Sequence, residues 1–349
     1  MTGVFSHLGL PELVAGVIVV ALNVYALMGG ADFGGGVWEL FARGPRREQQ
    51  RALIAQAIGP IWEANHVWLV VVVVLTFTGF PAAYAAMGTV LHIPLAILLV
   101  GIVMRGSAFV FRSYGSRTWE QRRRWGAMFA IASTLTPLLL GVVIGALSTG
   151  AVGAAAAQTG ALPFIDVYVH PWLAPFPLAV GALALALFAM LAAVYLTLET
   201  PDADLQDDFR RRALAAAGAV FVAAFAALAI AHHEAPMMRA GLMNSRWAPP
   251  FQLSTGVAAV TVIAALWLRR YRVARAAAGA QLSLILWGWA FSQFPYVVPP
   301  TLTIRAAAAP AITLRIVTAA LAAGALLLVP SLVYLRRTFS AQSSEGPRR

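Results

Sequence analysis

Long runs of apolar residues recur along almost the whole chain, and short polar segments separate them. Each run is about as long as the roughly 20 residues that a helix needs to cross a bilayer. The pattern predicts nine spans, at roughly 10–36, 53–79, 84–111, 125–148, 172–198, 212–232, 252–269, 277–298 and 313–335. We therefore predict an all-α integral membrane protein with nine transmembrane helices, a single transmembrane domain over 1–349 and a tail at 337–349.

Composition supports a membrane protein and removes several functional classes. Of the 349 residues, 60% are hydrophobic and 11% are charged, whereas soluble domains carry about 25% charged residues. The chain has no cysteine, which excludes disulfides, thiolate haem ligands and iron–sulfur clusters. All 25 basic residues are arginine, so a retinal Schiff base and a P-loop lysine are excluded as well.

The arginines lie mostly on one side of the predicted spans. Twenty of the 25 follow odd-numbered spans or belong to the C-terminal tail, and four follow even-numbered spans. The positive-inside rule then places the N-terminus outside and the C-terminus in the cytoplasm. We attribute the net charge of +11 to this topology and expect no nucleic-acid partner. The first span is not preceded by a positive segment or followed by a cleavage-type site, so we expect it to be retained.

Few ionisable residues lie inside the predicted spans, where such groups are functional candidates. At 1.5 Å per residue, Asp32 lies roughly 16 Å, Glu63 about 18 Å and Arg105 about 10 Å from the arginines at the cytoplasmic ends of their spans. We expect the three groups at similar depths, as a polar path or a buried ion-pair cluster. In the alternative, Arg105 reaches back to the membrane surface. Glu39 is expected among the lipid headgroups.

The densest polar segment in any predicted span is WEANHVW, residues 62–68. Glu63 and His66 share a helix face, and a carboxylate beside an imidazole can relay protons. Di-iron bundles use a similar pair, but they need a second copy, which the sequence lacks. Trp62 and Trp68 lie in mid-span, where they either pack between helices or line a site.

Direct haem ligation is a further alternative for the histidines. Four of them could supply an axial nitrogen: His66, His92, His232 and His233. A haem held between two helices needs its ligands at matched depths. The predicted depths differ, with His66 near the middle and the others toward the outside, so we expect no metal or haem to be bound by this chain.

Glycine and proline residues mark two segments of the chain as structurally important. Gly34 and Gly36 crowd the inner end of span one near Asp32, where small residues let helices approach closely. Pro295 and Pro299 interrupt span eight near its outer end, and the freed carbonyl groups there need partners.

Four segments resemble subunit II of the cytochrome bd-type quinol oxidases. They read YALMGGADFGGGVWEL at 25–40, IGPIWEANHVWLV at 58–70, RGSAFVFRS at 105–113 and QFPYVVP at 293–299. The segments occur in the family's order, and the span number and length agree across nearly the whole chain. The WEANHVW motif is the most specific of them.

The resemblance implies two four-helix bundles, at about 10–148 and 172–336, the second with one peripheral helix. It implies a respiratory terminal oxidase in the prokaryotic inner membrane that oxidises quinol and reduces oxygen to water. The partner, subunit I, would hold two b-type haems and haem d, and this chain would ligate none. Small single-helix subunits, membrane lipid and a quinone, as substrate or as a bound lipid-like molecule, are the other expected partners.

The resemblance also implies roles for individual residues. Glu63, Asp32 and Arg105 match positions on the family's cytoplasmic proton path, with His66 as a possible relay. Trp68 matches the tryptophan near the oxygen route, and Trp62 and Asn65 belong to the same motif. Two acids of many family members are missing, because Gly29 and Val110 occupy their positions.

Two rival functions predict different behaviour. A proton-coupled secondary transporter would use Asp32 and Glu63 as coupling sites and helices broken at 34–36 and 295–299. Such a transporter would work alone. A self-contained haem-b electron carrier would be coloured when pure. The oxidase subunit would be colourless alone and would join a haem-rich complex.

Overall fold

The computed structural model describes residues 9–58, 62–115 and 118–342, and almost all of them are helical. The long helices are α1 (Leu10–Leu40), α3 (Trp62–Gly79), α5 (His92–Val110), α6 (Trp119–Thr149), α9 (Pro175–Leu196), α10 (Ala203–Glu234), α12 (Ala248–Trp267), α13 (Tyr271–Gln293) and α14 (Ala311–Gln342). The short helices are α2 (Arg47–Ile58), α4 (Pro81–Val90), α7 (Ala151–Ala157), α8 (Phe164–Tyr168) and α11 (Pro236–Asn244). A π-helical turn, Phe111–Gly115, extends α5.

Six helices in these ranges are long and apolar enough to cross a membrane, namely α1, α5, α6, α9, α10 and α12. The apolar pair 65–79 and 81–90 would add a seventh, although it is bent by 116°. The prediction of a helical, multi-pass membrane protein is confirmed. The count of nine spans and the orientation stay predictions. Predicted spans eight and nine coincide with α13 and α14, which are not among these six.

The third predicted span differs from the helices in its region, and the second crosses residues that the structure does not describe. Residues 59–61 lie outside the described ranges, so the predicted continuity of span two there is not addressed. Span three was predicted as one helix over 84–111, but α4 and α5 are separate helices that meet at Leu91. The physical reason is proline, which is best accommodated in the first turn of a helix because it lacks an amide hydrogen. Pro94 lies in the first turn of α5, three residues after Leu91.

Span eight was predicted to run to residue 298, but α13 ends at Gln293. An antiparallel hairpin of β1 (Tyr296–Val298) and β2 (Leu302–Thr303) follows it. The Phe294–Pro295 and Pro299–Pro300 peptide bonds of this hairpin are cis. The amide of Ile304 donates to the carbonyl of Pro295 at 2.8 Å, so one carbonyl at the helix break is satisfied inside the hairpin.

Helix α9 lies at the centre of the molecule and packs against α1, α6, α10 and α13. α1 also contacts α3 and α6, and α5 packs along α6. The largest hydrophobic core joins residues of α1, α9, α10, α12 and α13. The halves at 10–148 and 172–336 therefore share one core, and their division into two four-helix bundles stays an interpretation.

The two ends of the helix assembly differ in charge. One end holds the C-terminal ends of α1, α5, α9 and α12 and the N-terminal end of α10. We call it the arginine-rich end. Asp202 caps α10 there by accepting from the amides of Asp204 and Leu205 at 2.9 and 3.2 Å. At the opposite end, Arg305 binds Glu12 at 2.6 Å.

Candidate functional site

Asp32 and Arg105 form a buried ion pair in the interior of the helix assembly. The Nη2 atom of Arg105 donates to Oδ1 of Asp32 and, at 3.4 Å, to the Asp32 main-chain carbonyl. Each side chain is 1% exposed. The alternative interpretation, in which Arg105 reaches back to the membrane surface, is therefore wrong. The pair connects the C-terminal third of α1 to the last turns of α5.

Asn65 and Ser133 complete the hydrogen bonding of this pair from two further helices. The side-chain amide of Asn65 on α3 donates to Oδ2 of Asp32 at 3.2 Å. The Nε atom of Arg105 donates to Oγ of Ser133 on α6 at 2.9 Å. All four residues are buried. Burying a charge is costly unless it is paired and hydrogen-bonded, and four helices here supply those partners.

Aromatic rings enclose the guanidinium group of Arg105. Its Cζ atom lies 4.7 Å from the ring centroid of Phe33 and 5.0 Å from that of Phe129. Both phenylalanines are fully buried. Cation–π contacts of this kind are stronger where water is excluded. The two rings, together with Asp32, therefore stabilise the buried positive charge of Arg105.

Gly34 and Gly36 allow α1 to approach its neighbours closely beside Asp32. A Cβ atom on Gly34 would overlap the main-chain carbonyl of Phe188 on α9, and one on Gly36 would overlap the side chain of Ser133 on α6. The structural role predicted for these glycines therefore has a definite geometry. Without a side chain at Gly36, Ser133 can lie where it receives the hydrogen bond from Arg105.

Three polar atoms near Asp32 have no hydrogen-bond partner within the described part of the chain. They are the hydroxyl of Tyr25, Oδ1 of Asn65 and Nδ1 of His66. The His66 ring lies 6.2 Å from that of Phe33 and 6.4 Å from that of Tyr25. Buried polar atoms are nearly always satisfied by protein or by ordered water, so these atoms mark a place that can hold water.

The remaining residues of the WEANHVW motif are only partly described. Trp68 is half-buried and packs against the main core. Glu63 and Trp62 begin α3, but their side chains lie outside what the structure describes. The sequence-based roles of Glu63 and Trp62 therefore stay predictions.

A second buried ion pair joins Glu39 and Arg112, and the sequence interpretation missed it. Glu39 was expected among the headgroups, but it is 3% exposed and accepts from Nη1 of Arg112. The π-helical turn at the end of α5 carries Arg112. The available signal was spacing, because Asp32 and Glu39 are seven residues apart, as are Arg105 and Arg112. Residues seven apart lie on one face of a helix.

A cavity of about 290 Å³ reaches Asp32 from the arginine-rich end. Asp32, Met28 and Gly35 of α1 form one wall, and residues of α9 and α13 form the other. Its polar groups away from Asp32 are Tyr195, Glu199 and Arg275. Glu199 and Arg275 are exposed, so the cavity leads from a polar opening to an otherwise buried carboxylate.

The histidines considered for haem ligation are dispersed. His92 at the start of α5 is exposed and contacts the carbonyl of Thr89 at 2.8 Å. His232 and His233 are exposed neighbours at the end of α10. Within the described ranges, no group of three or more His, Asp or Glu side chains is arranged to hold a metal ion. Pro295 and Pro299 lie in the hairpin after α13, away from Asp32 along the chain.

The chain is similar in sequence to known subunits of cytochrome bd oxidases. Cytochrome bd ubiquinol oxidase subunit 2 of Bacillus subtilis strain 168 is 30% identical over 223 residues, which is 63% of each chain. Cytochrome bd-I ubiquinol oxidase subunit 2 of Escherichia coli K12 is 27% identical over 198 residues, 54% of this chain and 48% of the relative. The chain thus spans about half to two thirds of the length of these curated relatives.

A solved structure shows the same fold. A chain of the bd oxidase from Geobacillus thermodenitrificans superposes with a TM-score of 0.77 at 23% identity, covering 95% of this chain and 98% of that one. A sequence model described as cytochrome bd terminal oxidase subunit II matches residues 10–339. That match includes Asp32, Asn65 and Arg105 and extends over nearly the whole chain. The chain therefore belongs to the cytochrome bd terminal oxidase subunit II family.

Proposed function

We propose that this chain is the non-haem-ligating subunit of a cytochrome bd-type quinol:oxygen oxidoreductase in a respiratory chain. It would form a heterodimer with subunit I in a prokaryotic inner membrane, with the arginine-rich end facing the cytoplasm. Family membership supports the assignment. The haems of subunit I would supply the redox chemistry, in which two quinols reduce one oxygen molecule to two waters.

The buried pair of Asp32 and Arg105 is the observation that carries the proposal. A purely structural subunit of a membrane complex gains little from an ion pair at this depth, since replacing a buried ion pair by apolar residues is often neutral or stabilising. Ionisable groups inside membrane spans commonly mark proton or ion pathways. We assign this pair to a cytoplasmic proton path toward the haem d site.

The cavity beside Asp32 supports a route by which protons reach this carboxylate. Water in the cavity would connect Glu199 and Arg275 at the opening to Asp32 at the inner end. Such a route also accounts for a departure from the family pattern, in which Gly29 replaces a second acid. A path that enters between α1, α9 and α13 does not need a carboxylate at position 29.

Beyond Asp32, the unpartnered atoms of Tyr25, Asn65 and His66 support a continuation through ordered water toward α3. Glu63 begins that helix, and its carboxylate is the next acceptor in the proposal. A carboxylate accepts and releases protons in turn, whereas Arg105 keeps its charge and fixes the orientation of Asp32. The path would thus run from Asp32 to Glu63 with His66 as a relay.

The chain also has a proposed role in assembly and in oxygen access. Exposed apolar residues Val67, Val70, Val74 and Phe77 form a continuous stripe along α3. Trp68 lies on the same helix, partly buried against the core. We assign the oxygen route to the neighbourhood of Trp68 and Trp62. The secondary-transporter alternative is not favoured, because the family match extends over residues 10–339.

Proton uptake by the reconstituted complex tests this function. The complex with subunit I would be placed in liposomes, and quinol-driven oxygen consumption and proton uptake would be recorded together. Asp32→Asn should slow both while the optical haem spectrum is retained. Glu48→Gln is the matched control, since Glu48 is exposed at the arginine-rich end and pairs only loosely with Arg51 at 3.7 Å. Unchanged proton uptake in an Asp32→Asn complex with full haem content would contradict the path.

A further inference from the structure

A second cavity, of about 320 Å³, lies at the arginine-rich end between the turn after α1, helix α2 and the start of α10. Four arginines line it, namely Arg43, Arg46, Arg211 and Arg212, against the single carboxylate of Asp208. This cavity is separate from the one that reaches Asp32. Its charge makes it a candidate site for an anion, and its residues have no part in the proposed proton path.

Part of the cavity wall is fixed by a hydrogen-bond network. Arg46 binds Asp208 through both Nε and Nη2, at 2.9 and 2.8 Å. Gln50 donates to Asp208 at 2.9 Å and accepts from Arg212 at 2.7 Å. The hydrogen bonds that Arg46 donates to Asp208 raise the pKa of Arg46 above its ordinary value. The network therefore holds Gln50 and Arg212 in place. It also pairs Asp208, the only carboxylate that lines the cavity, with Arg46.

The positive charge that remains in the cavity is not compensated. Arg43 and Arg211 are exposed and have no ion-pair or hydrogen-bond partner within the described ranges. Nη1 of Arg212 is enclosed and also has no partner there. Guanidinium groups present forked donors that match phosphate oxygens. Three arginines with free donors around one cavity thus fit a phosphate group.

Apolar surface adjoins the cavity on the side of α1. Leu40 and Phe41 end this membrane-spanning helix immediately before Arg43, and they are 47% and 46% exposed. Gly44 has a φ of +79°, which the tight turn between α1 and α2 requires and which glycine adopts without strain. Basic groups and exposed apolar side chains therefore meet where a membrane-spanning helix ends, at the level of lipid headgroups.

We propose that this cavity binds the phosphate group of an anionic phospholipid, with the acyl chains lying against Leu40 and Phe41. The bound headgroup would bridge the turn after α1 to the start of α10, two segments that are more than 160 residues apart in the chain. Arg43, Arg211 and the free donor of Arg212 would contact the phosphate oxygens.

Thermal unfolding of the purified complex in detergent tests the proposal. The unfolding temperature would be measured with added phosphatidylglycerol, with the zwitterionic lipid phosphatidylcholine, and with inorganic phosphate. A ligand that binds only the folded state raises this temperature. We expect such a rise with phosphatidylglycerol for the native protein and its loss in Arg43→Gln/Arg211→Gln.

The control is Arg124→Gln/Arg272→Gln, which removes two exposed arginines from the same end but outside the cavity. Because Arg43 and Arg211 hold no other group in place, both double variants should unfold at the native temperature without lipid. A rise in the control but not in the cavity variant supports the site. If inorganic phosphate gives the same rise, the site recognises phosphate itself. Equal rises in both variants would overturn the proposal.

Discussion

Arg105 on α5 donates to the carboxylate of Asp32 on α1, and each of the two side chains is only 1% exposed. A second pair of the same kind, Glu39 with Arg112, lies seven residues further along both helices. This spacing corresponds to about 10 Å along a helix. The ring of Phe129 lies between the pairs, 5.0 Å from one guanidinium and 5.3 Å from the other. The two pairs together fix the register of α1 against α5 and the π-helical turn.

Removing one member of the inner pair should destabilise the complex. Asp32→Asn leaves the buried guanidinium of Arg105 without a counter-charge, and breaking such a pair costs about 3–5 kcal/mol. We expect a lower unfolding temperature and slower quinol-driven oxygen consumption. The measurement is thermal unfolding of the purified complex alongside its optical spectrum.

A paired replacement separates stability from function. Asp32→Asn/Arg105→Met removes both charges with little change in side-chain volume, so that no unpaired charge is left buried. We expect this variant to regain most of the unfolding temperature of the native complex, to retain its haem content and to remain slow in oxygen consumption. Native turnover in the double variant would mean that the pair is structural only.

The outer pair should matter more than an exposed pair at the same end. Glu39→Gln leaves Arg112 largely buried and without its carboxylate, so we expect a stability loss on the order of 1–3 kcal/mol. Glu48→Gln changes an exposed pair with Arg51 and should have an effect below about 1 kcal/mol. Thermal unfolding of the two variants checks the difference, and equal effects would show that Glu39 is not held as described.

Gly34 should tolerate no side chain. Gly34→Ala places a methyl group against the main-chain carbonyl of Phe188, and overpacking of this kind typically costs about 1–3 kcal/mol. Gly16→Ala on the same helix is the matched control, because no atom lies within 4 Å of the place that its new methyl group would occupy. We expect the control to be neutral or slightly stabilised. Similar yields and unfolding temperatures for both variants would refute the close contact of α1 and α9.

Glu63 is expected to act in proton transfer rather than in folding. Glu63→Ala should give an assembled complex with impaired oxygen reduction, because the proposed path loses its acceptor at the start of α3. Oxygen consumption normalised to haem content measures the effect. Normal turnover with haem retained would contradict the role, and Glu63→Asp should restore part of the activity if a carboxylate is what matters.

Much of the fold follows from apolar patterning, and the errors have local causes. Span five was predicted at 172–198, and α9 runs from Pro175 to Leu196. The prediction of span three was wrong because hydrophobicity does not change at the turn near Leu91, where Pro94 indicates a new helix start. Hydropathy reports burial in lipid or protein, and it carries little information about a bend between two apolar helices.

The residues of the candidate site could be predicted from the sequence more readily than the contacts between them. Depth along a helix suggested that Asp32 and Arg105 lie near each other, and both ended in one buried pair. The partners Ser133 and Asn65 depend on how four helices pack, which no local pattern records. Arg46 and Asp208 are 162 residues apart, so only the fold brings them together. The position of Glu39 was misjudged because depth alone cannot distinguish a face toward lipid from a face toward α5.

The most direct test of the proposed function is to express this chain with subunit I, purify the complex through a tag on this chain, and record its reduced-minus-oxidised optical spectrum. We predict a co-purifying larger membrane subunit, b-type bands together with a red-shifted chlorin band, and quinol-dependent oxygen consumption. A stable, colourless chain that purifies alone, with no oxygen consumption, would contradict the assignment as an oxidase subunit.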